Sequence, residues 1–249
     1  MPTRPGLALC LFILPIAAAP ALAQDLPKLG ANAVPVTQDF TFLREAPAPD
    51  YWAFSPFVKP QFTSSACSIA SVTAVLNGLA GLPARAEDTV VSQTDLLDLT
   101  DSAEWAGLSA EGGDGVTFEQ LHGFTQAAVT AREMPLAVTV FRPQTDDAAT
   151  LDALRAALAA NEGGAEDAIL VYFNQGVVTG DWDGPHISPI GAYDAASDRV
   201  LILEVDQEWY IPYWTPVPVL LEAMLRPAPE DQGVLMGETG GLVILAPQR

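Results

Sequence analysis

A clear helical pattern follows Cys67. Ser64 and Ser65 are suitable N-cap residues just before it, and Gly78 or Gly81 would end the helix. The apolar residues after Cys67 have the i, i+3, i+7 spacing that places them on one face of an α-helix: Ile69, Val72, Val75, Leu76 and Leu79. The pattern therefore predicts a helix with one buried face and with Cys67 in its first turn.

Downstream of this helix, the pattern predicts mainly helices first and mainly strands afterwards. A capping box at Thr117 opens one helix, and Thr215 with Pro216 is typical of an N-cap followed by the first helical residue. The stretch from 100 to 115 is expected to be a loop. We expect helices over 92–99, 118–128, 150–160 and the segment after Pro216, and strands over 136–141, 168–173, 187–193, 200–205 and 242–246. This order predicts the α+β class, with an antiparallel sheet.

The N-terminus has the pattern of a secretory signal peptide. Arg4 precedes an apolar run over 7–22, and Ala21-Leu22-Ala23 has the small residues typical of a signal-peptide cleavage site. We expect residues 1–23 to be removed after Ala23, and the protein to be secreted or periplasmic with no membrane association thereafter. Residues 24–53, which are rich in proline and polar residues, are expected to form an arm that packs on a single catalytic domain, residues 54–249.

The balance of charge limits the class of partner. The chain has 31 acidic and 11 basic residues, for a formal net charge of −20. Such an excess of negative charge repels the phosphates of nucleic acids and of anionic lipids. The composition therefore argues against a nucleic acid or an anionic membrane surface as partner.

The cysteine count draws attention to Cys67. The chain has 2 cysteines, and Cys10 lies in the predicted signal peptide. Cys67 would then be unpaired in an oxidising compartment, which indicates a reactive thiol or an intermolecular disulfide. A small buried cysteine without chemistry is the ordinary alternative. At the start of a helix, however, the dipole and the free backbone N–H groups favour a thiolate over a thiol.

A cysteine nucleophile needs a base and a group that stabilises the oxyanion. Gln61 lies six residues before Cys67, a spacing that resembles the papain-like cysteine peptidases, and its amide could donate to an oxyanion. Of the 2 histidines, His122 falls inside a predicted helix and is expected to be a surface or partly buried residue without a catalytic role. His186 opens a predicted strand after a glycine-rich turn, a place suited to face a helix N-terminus across a cleft.

Several separated segments resemble the phytochelatin synthase family. The motif His186-Ile187-Ser188-Pro189-Ile190 is followed by an acidic residue on the next predicted strand and then by 210–214, Tyr-Ile-Pro-Tyr-Trp. The segment 61–79, with its Gln, Cys and Val-Leu-Asn-Gly-Leu, also matches, and 115–118 and 220–224 match more weakly. The resemblance covers about 61–245 and implies a papain-like fold, in which a helical part carrying the cysteine packs on an antiparallel sheet carrying the histidine.

The resemblance also implies the roles of individual residues. It makes Cys67 the nucleophile, His186 the general base and Gln61 the oxyanion donor. The orienting aspartate of the family falls on Glu204, one methylene longer. Asp206, two residues on and hence on the same face of a strand, is the alternative. We favour Glu204, because such triads tolerate either carboxylate.

The implied chemistry is acyl transfer from glutathione. Cys67 would attack the bond between cysteine and glycine, release glycine and form a γ-glutamylcysteinyl thioester. Water would then give γ-glutamylcysteine, and the amine of a second glutathione would give a phytochelatin. We expect no tightly bound cofactor and no protein metal site, so Cd²⁺ or Zn²⁺ would enter only as a metal–glutathione thiolate. The resemblance also suggests a homodimer.

Four departures from the family pattern affect the expected substrate. Ser68 and Pro185 each replace a glycine, 206–209 replaces a segment with Arg and Lys, and 239–242 replaces Ser-Arg-Gly-Phe. Arginine is well suited to bind carboxylates, and glutathione has two. The alternatives are therefore a papain-like peptidase or amidase acting on another small peptide, and a non-catalytic binding relative.

Overall fold

The computed structural model describes Met1 and residues 27–248. Apart from Met1, the predicted signal peptide lies outside the described residues. Among the residues that are described, no helix combines the length and the apolar character needed to cross a membrane.

The chain contains helices on both sides of a sheet. The helices are α1 (Thr41–Glu45), α2 (Pro49–Phe54), α3 (Cys67–Ala80), α4 (Gln93–Thr100), α5 (Ala103–Leu108), α6 (Phe118–Ala131), α7 (Ala148–Asn161), α8 (Gln175–Thr179) and α9 (Val217–Leu225). The strands are β1 (Val34–Pro35), β2 (Leu136–Phe141), β3 (Ala168–Asn174), β4 (Pro185–Asp194), β5 (Arg199–Ile202), β6 (Tyr213–Pro216) and β7 (Gly241–Pro247).

Within residues 27–248 the strands form one seven-stranded sheet in the order β1-β6-β5-β4-β3-β7-β2. Neighbouring strands pair antiparallel throughout. The register of β3 and β4 places Phe173 opposite His186. The predicted α+β class with an antiparallel sheet is therefore confirmed.

The core has two parts, and β3 contributes to both because successive side chains of a strand point to opposite faces. Leu170 and Tyr172 pack with the apolar face of α3, including Ile69 and Val72. Phe173 and its neighbours on the other face pack with α7 and α9 through Leu154, Leu158, Leu220 and Met224. The sheet is thus covered by helices on both faces, and α3 lies directly on the face that includes Ile187 of β4.

The N-terminal arm is part of the folded domain. Its strand β1 adds to the sheet edge by pairing with β6, and Asp39 accepts a hydrogen bond at its backbone oxygen from the Trp214 indole at 2.8 Å. The expected boundary after residue 53 falls inside α2. The arm therefore packs on the domain through backbone pairing as well as side chains.

The structure corrects several local predictions. Helix α5 lies inside the predicted loop 100–115, and α8 follows β3 directly. Strand β6 was missed, and Pro216 rather than Thr215 is the N-cap of α9. Strand β5 ends at Ile202 rather than at residue 205. Glu204 and Asp206 therefore lie in a loop, so the argument that they share a strand face is wrong.

Candidate active site

Cys67 is the first residue of α3 and is a half-buried free thiol. The N-cap is Ala66, and no described side chain caps this helix. The predicted caps point elsewhere, since Ser64 Oγ donates to Glu111 at 3.2 Å and Ser65 Oγ donates to the Gly113 carbonyl at 2.6 Å. The uncapped N–H groups of the first turn favour negative charge at this end of the helix.

Two buried serines fix the position of α3. Ser71 Oγ donates to the carbonyl of Ile187 at 2.9 Å, which ties the helix to the residue after His186. Ser68, at a position where a glycine was expected, accepts a hydrogen bond from the Trp105 indole at 2.9 Å and is buried. The helix that carries the thiol is thus held against the strand that carries the imidazole.

His186 lies at the start of β4 and is only 3% exposed. Its Nε2 is 2.7 Å from Oε1 of Glu204 and 3.1 Å from Oγ of Ser188. The ring of Phe173 packs edge-on against the imidazole at a centroid distance of 5.7 Å. The imidazole is therefore fixed by a carboxylate and by packing, and Nδ1 remains for Cys67.

Glu204 is fully buried and is itself held in place. Its Oε2 accepts from Gln175 Nε2 at 3.1 Å, and its Oε1 accepts from the backbone N–H of Asp206 at 2.7 Å. The hydroxyl of Tyr213 is buried beside the same carboxylate. Of the two acids considered from the sequence, the structure brings Glu204 to the imidazole, while the Asp206 side chain lines the cleft.

The environment favours charge on both His186 and Glu204. Burial lowers the pKa of His186, but the charge of Glu204 and hydrogen bonds with Cys67 and Glu204 outweigh it and raise the pKa to about 10. Burial raises the pKa of Glu204, but the charge and hydrogen bond of His186 outweigh burial and lower it. An imidazolium–carboxylate pair is therefore favoured at neutral pH.

Gln61 lines the same cleft as Cys67 and His186. Its backbone N–H donates to the carbonyl of Val205 at 2.8 Å, which anchors it to the loop that carries Glu204. Its side-chain Nε2 lies 3.4 Å from the carbonyl of Ser64, at the long end of a hydrogen bond. The amide is thus close to the start of α3 and is weakly engaged, so its N–H groups can serve a ligand.

The cleft has a volume of about 530 Å³. It brings together three of the four site residues predicted from the sequence, and Glu204 supports it from behind His186. His122 is half-buried on α6 and does not line the cleft. The lining residues are Lys28, Gln61, Ser64, Ser65, Cys67, Gln175, Asp181, Trp182, Pro185, His186, Asp206, Trp209 and Tyr210.

Sequence reasoning missed Gln175 and Lys28. Gln175 directly follows β3, whose last residue pairs with Pro185 of the strand that carries His186. A polar residue at the end of a strand was the signal in the sequence that could have indicated its role. Lys28 comes from the arm, and no local pattern links it to the cleft. Across the described residues, no group of three or more His, Cys, Asp or Glu side chains is arranged to hold a metal ion.

Comparison with known proteins places these residues in a family context. A family model described as phytochelatin synthase matches residues 34–233. The chain is 51% identical over 39 residues to glutathione gamma-glutamylcysteinyltransferase 3 of Lotus japonicus, and this match covers 16% of the chain and 8% of the relative. The corresponding enzyme 1 of Arabidopsis thaliana gives the same identity and coverage. Enzyme 1 of Triticum aestivum is 44% identical over 52 residues, which cover 21% of the chain and 10% of the relative.

Proposed function

Because the chain belongs to the phytochelatin synthase family, we propose that it cleaves the bond between cysteine and glycine in glutathione through a thioester on Cys67. The observation that carries this proposal is the contact of 2.7 Å between the buried Glu204 and His186, which lines the same cleft as Cys67. An oriented imidazole beside a thiol at a helix start is the arrangement that nucleophilic acyl transfer requires.

In the first step, the thiolate of Cys67 attacks the carbonyl carbon of the cysteinyl residue of glutathione. A bond forms between Sγ and carbon, and the oxyanion accepts hydrogen bonds from Gln61 and from the N–H groups at the start of α3. As the C–N bond breaks, His186 transfers its proton to the amine, and glycine leaves. The product is a γ-glutamylcysteinyl thioester, with the imidazole now neutral.

In the second step, His186 acts as a base. It removes a proton from water, which attacks the thioester and gives γ-glutamylcysteine and the free Cys67 thiolate. If the amine of a second glutathione attacks instead, the product is a phytochelatin. Glu204 keeps Nε2 of the imidazole occupied in both steps, so Nδ1 is the nitrogen that donates the proton in the first step and accepts one in the second.

Metal enters this proposal only with the substrate. A glutathione thiolate that binds Cd²⁺ or Zn²⁺ would present the same peptide bond to Cys67. The proposed reaction needs no tightly bound cofactor.

The test is product analysis of glutathione incubated with the protein, with and without Cd²⁺. We expect release of glycine and formation of γ-glutamylcysteine, and longer γ-glutamylcysteinyl oligomers where transfer competes with water. Cys67→Ala and Cys67→Ser should both abolish release while the far-ultraviolet circular dichroism stays unchanged. Release that continues in both variants would refute the proposal.

A second candidate is a papain-like peptidase or amidase that acts on a less acidic peptide. The observation in its favour is that Asp181 and Asp206 line the cleft, while Lys28 is the only lysine or arginine among its described lining residues. Rapid alkylation of Cys67 by iodoacetamide, together with no release of glycine from glutathione, would favour this candidate over the first.

We further propose that the enzyme acts outside the cytoplasm, in the periplasm or as a secreted protein. The support is the basic start, apolar run and Ala-x-Ala exit of residues 1–23. N-terminal sequencing of the protein recovered from the exported fraction should begin at Gln24. A protein that is recovered only from the cytoplasm and whose sequence begins at Met1 would refute this proposal.

A further inference from the structure

The segment that begins the described part of the arm is attached beside the catalytic cleft. The backbone N–H of Gly30 donates to the carbonyl of Thr179 at 2.6 Å. Asn32 Nδ2 donates to the carbonyl of Val177 at 3.2 Å. Both acceptors belong to α8, so this helix fixes the segment that carries Lys28.

The ammonium group of Lys28 is held at the cleft by three side chains. Its Nζ is 2.7 Å from Oδ2 of Asp181, and it lies over the rings of Trp209 at 4.9 Å and Tyr210 at 4.4 Å. The Tyr210 hydroxyl donates to the same oxygen of Asp181 at 2.8 Å. Stacking over two rings restricts the ammonium, since a cation is attracted to the face of an aromatic ring.

Lys28 nevertheless keeps donors free for a ligand. Its side chain is 48% exposed, and an ammonium group has three N–H donors, of which Asp181 occupies one. Among the described residues that line the cleft, it is the only lysine or arginine. The ammonium group of Lys28 could therefore bind a carboxylate that entered the cleft.

Lys28 and His186 line the same cleft. The residues that surround the Lys28 ammonium, Trp209 and Tyr210, follow Glu204 in the loop that orients His186. Asp206 lines this cleft as well. Burial raises the pKa of Asp206, and the positive charges of His186 and Lys28 act in the opposite direction. Under the proposed function His186 protonates the leaving amine, so the leaving residue would lie in this cleft beside His186, where the Lys28 ammonium is the available partner for its carboxylate.

We propose that Lys28 binds the free α-carboxylate of the leaving residue, so that the enzyme selects peptides whose scissile bond precedes a single C-terminal residue. This inference rests on the proposed function. It identifies Lys28 as a specificity-determining residue that comes from the N-terminal arm. Asp181 and the two aromatic rings position the ammonium, and the incoming carboxylate takes one of the remaining N–H donors.

The test compares glutathione with glutathione amide, in which the glycine carboxylate is replaced by a carboxamide. We expect the unchanged protein to have a kcat/KM about 10- to 100-fold higher for glutathione, as fits one charge-assisted hydrogen bond. Lys28→Met should remove this preference by lowering kcat/KM for glutathione only, mainly through KM. Lys28→Arg should restore part of it, and Lys59→Met, at an exposed lysine outside the cleft, should change neither value.

Two results would overturn the inference. One is equal kcat/KM for the two substrates in the unchanged protein, a result that does not depend on whether any variant folds. The other is an equal loss for both substrates in Lys28→Met, which would mean that Lys28 only supports the cleft. Failure of the proposed function gives a different result, since the unchanged protein would then release neither glycine nor glycinamide.

Discussion

Nε2 of His186 lies 2.7 Å from Oε1 of Glu204, and both side chains are buried. Because Glu204 occupies this nitrogen, Nδ1 is the one left for the thiol of Cys67. Gln175 and the backbone of Asp206 hold the carboxylate in turn. The orientation of the base thus depends on a loop after β5 and on the end of β3, and each support can be tested separately.

Replacing Glu204 with glutamine should reduce turnover of glutathione by about 10²- to 10⁴-fold, the usual contribution of a well-placed acid–base group. Without the carboxylate, burial is opposed only by Cys67, so the pKa of His186 falls from about 10. His186 then loses its proton at a lower pH, so the alkaline limb of the pH–rate profile should move to lower pH. A Glu204→Gln variant with full turnover, beside an inactive Asp206→Asn variant, would show that the wrong acid was chosen.

Replacing Gln61 with leucine should lower kcat by about 10²- to 10³-fold with little change in KM, as expected for a donor that acts on the developing oxyanion. Steady-state kinetics with glutathione measure both constants. Gln126→Leu, at an exposed glutamine on α6, is the matched control and should behave like the unchanged protein. A rise in KM at constant kcat in Gln61→Leu would instead assign Gln61 to substrate binding.

Replacing Gln175 with methionine should affect both stability and rate. The substitution removes the hydrogen bond of 3.1 Å to Oε2 of Glu204 and leaves a buried acceptor without its partner, which costs about 1–3 kcal/mol of unfolding free energy. Urea unfolding measures this loss, and kcat should fall because Glu204 is less well fixed. If unfolding free energy falls while kcat and its pH profile stay unchanged, Gln175 is structural only.

A second buried carboxyl group links the arm to helix α7. Asp50 of α2 is fully buried and accepts a hydrogen bond from the side-chain amide of Asn161. Within the described chain, Asp50 Oδ1 and Asn161 Oδ1 are buried without a partner. Burial, followed by the charges of Asp167 and Glu162, raises the pKa of Asp50 to about 9. A proton on Oδ1 could be donated to the Asn161 carbonyl and would satisfy both oxygens.

This pair predicts that the protein loses stability as the pH rises. Between the ordinary pKa of 3.8 and about 9, the folded chain holds a proton that the unfolded chain has released. The free energy of unfolding should therefore fall with pH by up to about 1.4 kcal/mol per unit from this group. Asp50→Asn keeps an amide pair and should flatten the dependence in urea unfolding at about pH 5, 7 and 9. Equal slopes in both proteins would contradict the prediction.

The sequence predicted those parts of the fold that depend on local periodicity. Helix α3 and the strand that carries His186 were identified from their apolar spacing, but the prediction of one buried face was wrong for α3, since residues 68–77 are all buried, and residues 186–193 of the strand are likewise all buried. Strand β5 was extended too far because Leu203 and Val205 are fully buried even though they lie outside the strand. An apolar run therefore indicates burial more reliably than it indicates strand pairing.

The candidate site was only partly accessible to such reasoning. Cys67, His186, Gln61 and Glu204 could be named because cysteine and histidine are rare in this chain and the surrounding motifs resemble a family. Gln175 and Lys28 could not, because their roles depend on contacts between segments distant in sequence. A resemblance also cannot supply Lys28, which comes from the arm before the segments that match.

The most direct test of the proposed mechanism is intact-protein mass spectrometry after rapid mixing with glutathione and acid quenching. We predict an increase in mass by one γ-glutamylcysteinyl group, located on Cys67 by peptide mapping, removed by hydroxylamine, and absent in Cys67→Ser. Glycine release without any such adduct on Cys67, or an adduct that persists in Cys67→Ser, would contradict the thioester mechanism.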